Sequence, residues 1–163
     1  KKHGLNAQVS IAAQAMTTDF HSTFDSKDMM RVVGYDMARE AGRQVYEAAG
    51  IGPGDVDVVE LHDCFAQNEL ITYESLGLCR PGGAAELIAS GATEMGGDIP
   101  VNPSGGCQGA NPIGAAGLIR LVEAAMQVTG RAGEHQVPGA RLAAAQTGGG
   151  WANLRGLAVV SAD

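Results

Sequence analysis

The order of apolar segments predicts an α/β fold: a mainly parallel five-stranded sheet with helices on both faces. Three observations carry this. Short Val- and Ala-rich segments alternate with longer segments of helical period. Glycine and proline fall between those segments, so the 24 glycines read as turns and close approaches and not as low complexity. The chain has 163 residues and a hydrophobic fraction of 45%, enough for one core and too apolar for disorder. Residues 1–163 therefore read as one domain.

The first strand is expected over Gln8–Met16, where Val9 and Ile11 open an apolar run. Polar Thr17–Ser26 follows as a loop. Asp28–Ala49 has helical period through Met29, Val32, Val33, Met37 and Val45, with a break expected near Gly34. Gly50 and Pro53 supply the stop signals. Asp55–Leu61 alternates and is rich in Val, which predicts the second strand. Phe65–Leu76 reads as a helix and Ala84–Ala89 as a short one. Ile99–Asn102 is a short extended segment before the glycine-rich loop Pro103–Gly109. Ile113–Val128 is the clearest helix, with Asn111 and Pro112 at its start. Ala140–Gln146 and Leu157–Val160 are the last two strands, an antiparallel pair joined through Thr147–Trp151.

Composition excludes several functions. The net charge is −7 and no basic stripe exists, which argues against a nucleic-acid surface. No apolar run reaches the about 18 residues of a membrane span. Lys1 and Lys2 are not followed by the apolar stretch of a secretory signal. Three widely spaced cysteines, Cys64, Cys79 and Cys107, form neither a disulfide framework nor a metal-spaced cluster, so no metal is expected and a reducing cytoplasm is.

Three places can carry chemistry. His62 and Cys64 lie at a strand-to-helix turn, the edge where open α/β sheets bind ligands. A helix start favours a thiolate there, and an imidazole can donate to a developing oxyanion. Pattern alone equally allows a buried thiol beside a structural histidine. The run from Asn102 to Gly117 brings a glycine loop into a helix, able to present N–H groups to an anion through Ser104, Gly105 and Gly106. Its spacing is neither a dinucleotide fingerprint nor a P-loop, and close backbone packing explains it as well. Gly148, Gly149 and Gly150 are a simple turn or a set of backbone donors. Cys107 lies in the glycine loop and could approach the site, but it and Cys79 read first as small buried residues, and His3, His21 and His135 as surface histidines.

A set of segments in order resembles a known family. They are Val33-Gly34-Tyr35-Asp36-Met37, Val58-Val59-Glu60-Leu61-His62-Asp63-Cys64-Phe65, Asn68 through Cys79, Asn102-Pro103-Ser104-Gly105-Gly106, and Gln136-Val137-Pro138-Gly139-Ala140. Together they resemble the C-terminal half of the thiolases associated with sterol carrier proteins. The resemblance covers nearly the whole chain, and the His-Asp-Cys-Phe element is its most specific part.

The resemblance implies a five-layer assembly of two similar halves that dimerises. The other, N-terminal half would carry the acylated cysteine. It further implies that His62 binds the thioester oxygen, that Cys64 moves the α-carbon proton, and that coenzyme A is a substrate with no permanently bound cofactor. One departure stands out. Where the family has Gly-His-Pro, this chain has Ala110-Asn111-Pro112. Asn111 can hydrogen-bond but cannot act as a base. Thiolysis of a 3-oxoacyl-CoA is the first reading. Retro-aldol cleavage of a β-hydroxyacyl-CoA with a small partner protein is the second, and a non-catalytic subunit the third.

Overall fold

The computed structural model describes residues 8–110, 113–150 and 153–162. Four strands form one sheet in the order β1-β4-β3-β2. They are β1 (Val9–Thr18), β2 (Val58–Glu60), β3 (Leu142–Gly149) and β4 (Leu154–Ala162). The helices are α1 (Met29–Val32), α2 (Tyr35–Ala49), α3 (Ala66–Ser75), α4 (Ala84–Ala89), α5 (Gly106–Gly109) and α6 (Ala116–Val128).

The α/β class and the helices on both faces agree with the sequence; two details of the sheet do not. β1 pairs antiparallel with β4, and β4 antiparallel with β3, so β2–β3 is the parallel pair. The alternation of strands and helices correctly makes β1, β2 and β3 run in one direction. The expected antiparallel pairing of β3 with β4 also holds, but the pattern could not show that β4 inserts between β1 and β3 and pairs antiparallel with β1 as well. The expected fifth strand is reduced to a bridge between Val101 and Val59. Val59 N–H donates to Pro100 O at 3.0 Å and Asn102 N–H to Val59 O at 2.8 Å. Extension stops there: Pro100 and Pro103 have no N–H to give, and Asn102 turns into the left-handed region at φ 47°.

The expected long helix breaks where glycine allows it. Gly34, at φ 89°, separates α1 from α2, and Gly50, at φ 69°, ends α2 with its N–H turned back onto Tyr46 O and Glu47 O. The last two strands are longer than the apolar pattern suggested. Gly148 and Gly149 stand opposite Arg155 and Leu154 within the ladder, so the connection shortens to the residues after Gly149.

Side chains of β2 and β3 alternate between two cores. Val59, Leu61 and Ala144 face α2 and α3, meeting Ala41, Val45, Tyr73 and Leu76. Val58, Ala143 and Ala145 face α6, meeting Ala124 and Val128. Alanines on β3 let α6 lie close. A Cβ added at Gly117 would collide with the Thr147 side chain, so this contact needs glycine. Among the described residues no helix is long and apolar enough to cross a membrane.

The last residue of β2 begins a buried polar network. Glu60 accepts from the Ser104 hydroxyl at 2.6 Å, from Ser104 N–H at 3.2 Å and from Arg120 Nη1 at 3.0 Å. Glu60 and Arg120 are 0% and 2% exposed, which makes this a fully dehydrated ion pair. Burial raises the Glu60 carboxyl, while Ser104 and Arg120 pull it back down. Removing the cation leaves a buried carboxyl without a counter-charge, with Ser104 as its remaining partner. We expect Arg120→Met to destabilise the full-length protein by about 3–5 kcal/mol. Because the carboxyl then sits still further above its ordinary value, that deficit should be smallest in acid and grow as pH rises through the raised value that Glu60 has in the wild type. Denaturant midpoints across pH measure it, and a pH-independent deficit would contradict the ion-pair account.

Candidate active site

His62, Asp63 and Cys64 leave the carboxyl end of β2 and precede α3. Each residue from Glu60 to Asp63 is held from outside its own segment. Leu61 N–H donates to Asn102 Oδ1 at 2.7 Å, and His62 N–H to Gln146 Oε1 at 2.9 Å. His62 O accepts from Asn68 Nδ2, one turn into α3. Asp63 Oδ1 accepts from Cys107 N–H at 2.6 Å, and its backbone oxygen from Gln108 Nε2 at 3.3 Å. The glycine loop closes over this carboxylate. Gly106 has φ 58°, and a Cβ there would collide with both Asp63 oxygens.

A cavity of about 380 Å³ opens beside this turn. His62, Cys64 and Gly148–Gly150 line it together, which joins two of the three places singled out by sequence. Val33, Phe65 and Ile71 make its apolar wall, and Gln67, Asn68 and Arg155 add polar groups. Ser104, Gly105 and Gly106 are not among its lining residues. The Ser104 hydroxyl is engaged by Glu60 and Arg120, and Gly106 packs on Asp63. Their place in the structure is to hold the loop. Asn111 lies outside the described residues.

His62 is fixed on one side of its ring. Cys107 Sγ lies 3.3 Å from Nδ1, so Nε2 is the nitrogen left for the cavity. Burial, with the Arg155 and Arg120 guanidiniums, holds the imidazole below its ordinary value, against the pull of Asp63. It is therefore neutral at physiological pH and able to hydrogen-bond an oxyanion without carrying a charge. Burial, helped by Asp63, pushes the Cys107 thiol up to about 11, so it stays protonated. Cys64 is partly exposed and unpaired with any other sulfur.

Two of these placements are weakly signalled in sequence. Cys107 reads first as a small buried residue whose loop could approach the site, and the loop closure brings it to His62. Arg155 was not singled out, although an arginine inside the apolar run Leu154–Val160 is a signal that can be read.

Residues 18–162 match the family described as Thiolase C-terminal domain-like. The chain belongs to this family. As a thiolase C-terminal domain it is 51% identical over 145 residues to sterol carrier protein 2 of Rattus norvegicus, covering 88% of this chain and 26% of that protein. It is 36% identical to an acetyl-CoA acetyltransferase of Methanothermobacter thermautotrophicus, covering 87% of this chain and 37% of that protein. It is 34% identical to benzoylsuccinyl-CoA thiolase subunit BbsB of Thauera aromatica, covering 95% and 40%. The solved Ltp2-ChsH2(DUF35) aldolase shares the fold, with TM-score 0.82 at 23% identity over 95% of this chain and 40% of that one. The thiolase domain thus spans about a quarter of the sterol carrier relatives.

The His62 shift has a measurable consequence. An unfolded chain takes up this proton near 6.5, whereas the folded domain resists until lower pH. The stability that comes from keeping His62 neutral is present above 6.5 and is lost as pH falls through the folded value. His62→Gln should remove this component. Unfolding midpoints of the full-length protein, taken on both sides of that pH, should fall less steeply in the variant than in the wild type.

Proposed function

We propose that this domain is the acid/base and oxyanion half of a thiolase-like acyltransferase that cleaves a 3-oxoacyl-CoA by retro-Claisen thiolysis. The observation that carries the reading is the convergence of His62 and Cys64 on one cavity with Gly148–Gly150. In this reaction the bond between the α and β carbons breaks and its electron pair stays with the α carbon as a thioester enolate. His62 Nε2 hydrogen-bonds the enolate oxygen. Cys64 delivers a proton to the α carbon, which releases that fragment as acetyl-CoA, the shortened acyl-CoA being made when the acyl group reaches free coenzyme A. The departing acyl group passes to a cysteine of the N-terminal half and then to coenzyme A. No permanently bound cofactor is required, and coenzyme A enters as substrate.

The same reading assigns a partner. α6 turns Leu118 and Val122 outward, one turn apart and 64% and 49% exposed. Met16 of β1 adds a further exposed apolar side chain at 68%. This surface suits the N-terminal half, and the complete protein would dimerise as its family does. Free thiols at positions 64, 79 and 107 fit a cytoplasmic setting.

A second reading is favoured by Asn111, which cannot serve as the base that prepares a nucleophilic cysteine. Retro-aldol cleavage of a β-hydroxyacyl-CoA needs no acyl-cysteine. The aldolase with the same fold is named for two components, Ltp2 and ChsH2(DUF35), and a small partner protein belongs to this second reading.

Two assays of the full-length protein separate them. CoA-dependent cleavage of a 3-oxoacyl-CoA supports thiolysis, and cleavage of a β-hydroxyacyl-CoA alone supports the lyase. Under thiolysis, Cys64→Ala should lower turnover about 10²-fold or more, and Asn111→His should raise it. Unchanged turnover in Cys64→Ala would remove Cys64 from proton transfer.

A further inference from the structure

Two arginines lie almost fully buried in this domain, and their charges are treated differently. Arg120 is paired with Glu60 at 3.0 Å. Arg155, on β4, is 4% exposed and has no carboxylate within ion-pair distance among the described residues. Its Nη2 donates to two neutral acceptors, Val33 O at 2.7 Å and Asn68 Oδ1 at 3.1 Å. Its Nη1 makes no hydrogen bond to a described residue. A dehydrated guanidinium is costly without a counter-charge, and buried cations are ordinarily paired.

The unpaired nitrogen has a place to point. Arg155 lines the cavity of His62 and Cys64 and, among the described residues, is the only arginine, lysine or acidic residue that does. Nη1 lies over Gly148, where an added Cβ would collide with it and stand 3.1 Å from His62 Cδ2. The absent side chain at Gly148 therefore lets a guanidinium N–H and the imidazole approach the cavity side by side. Val33 and Asn68 fix the other arm of the fork, so the group is held before any ligand arrives. An anionic oxygen meeting Nη1 would lie next to the one meeting His62.

We propose that Arg155 is a carboxylate-binding residue of this cavity, so that the acyl-CoA it takes carries a carboxylate on its acyl part, near the thioester. The proposal rests on the acyl-CoA reading above and adds the substrate class to it. A carboxylate supplies what the guanidinium lacks: a full negative charge and acceptors matched to planar N–H donors. The enolate oxygen exists only during reaction and leaves the resting charge unpaired.

Binding, not turnover, tests this in the full-length protein. The probes are a carboxyalkyl thioether of coenzyme A and the methyl-terminated thioether of the same length, neither of which can be cleaved. Calorimetric titration should give at least about tenfold tighter binding of the carboxylate probe. Arg155→Gln should abolish that preference while leaving the methyl-terminated probe almost unchanged, and Arg155→Lys should keep part of it. Equal affinity of the two probes for the wild type overturns the proposal, with no variant needed should Arg155→Gln not fold. A preference that survives in folded Arg155→Gln overturns it too. Binding of neither probe overturns the acyl-CoA reading itself, and the carboxylate site falls with it.

Discussion

The site depends on how the end of β2 is clamped to the glycine loop after Asn102. Two carboxylates do this, one on each side of His62. Glu60 reaches back into the core and draws in Ser104 and Arg120. Asp63 reaches forward and takes the Cys107 N–H. Between them the Leu61 N–H closes on Asn102 Oδ1. Four successive residues thus have their polar groups claimed by a segment about forty positions away or by β3 and α3. A histidine and a cysteine on a loose connection would sample many directions. Here the backbone on either side of His62 has nowhere else to go.

That clamp explains where glycine is required. The loop can seat Cys107 on Asp63 only because residue 106 has no Cβ and takes a positive φ. α6 can bring Arg120 to Glu60 only because residue 117 has no Cβ to strike Thr147. Gly148 plays the corresponding part on the cavity side, beneath Arg155. Pattern alone reads Gly106 and Gly148 as loop or turn and Gly117 as part of a helix. The structure uses them as points where backbone meets a side chain, all three within regular elements.

The strand-to-helix turn at His62 was legible because an alternating strand, a short polar stretch and a helical period follow one another directly. Gly34 and Gly50 were legible as breaks because only glycine takes those backbone angles cheaply. Strand order was not: β4 reads as the end of a hairpin, and nothing in residues 154–162 shows that its other edge belongs to β1. The lengths of β3 and β4 were misread because Gly148 and Gly149 resemble a turn until their partners, Arg155 and Leu154, are known. A glycine loop that runs into a helix puts Ser104 among groups able to meet an anion. Its hydroxyl answers to Glu60, some forty residues earlier, a pairing that periodicity cannot encode.

The electrostatics of the cavity follow from the same placement. His62 stands near two buried guanidiniums, and both hold its proton affinity down, while Asp63 alone opposes them. Arg120 is balanced by Glu60, and Asp63 keeps its charge while accepting the Cys107 N–H. Among the described residues that line the cavity the field therefore comes from Arg155, with Asp63 opposing it at His62. A neutral imidazole in such a field is a better partner for an oxyanion than for a cation, and it does not compete with the arginine for a counter-ion. The geometry that neutralises one arginine in the core thus leaves the other to define what the cavity can attract.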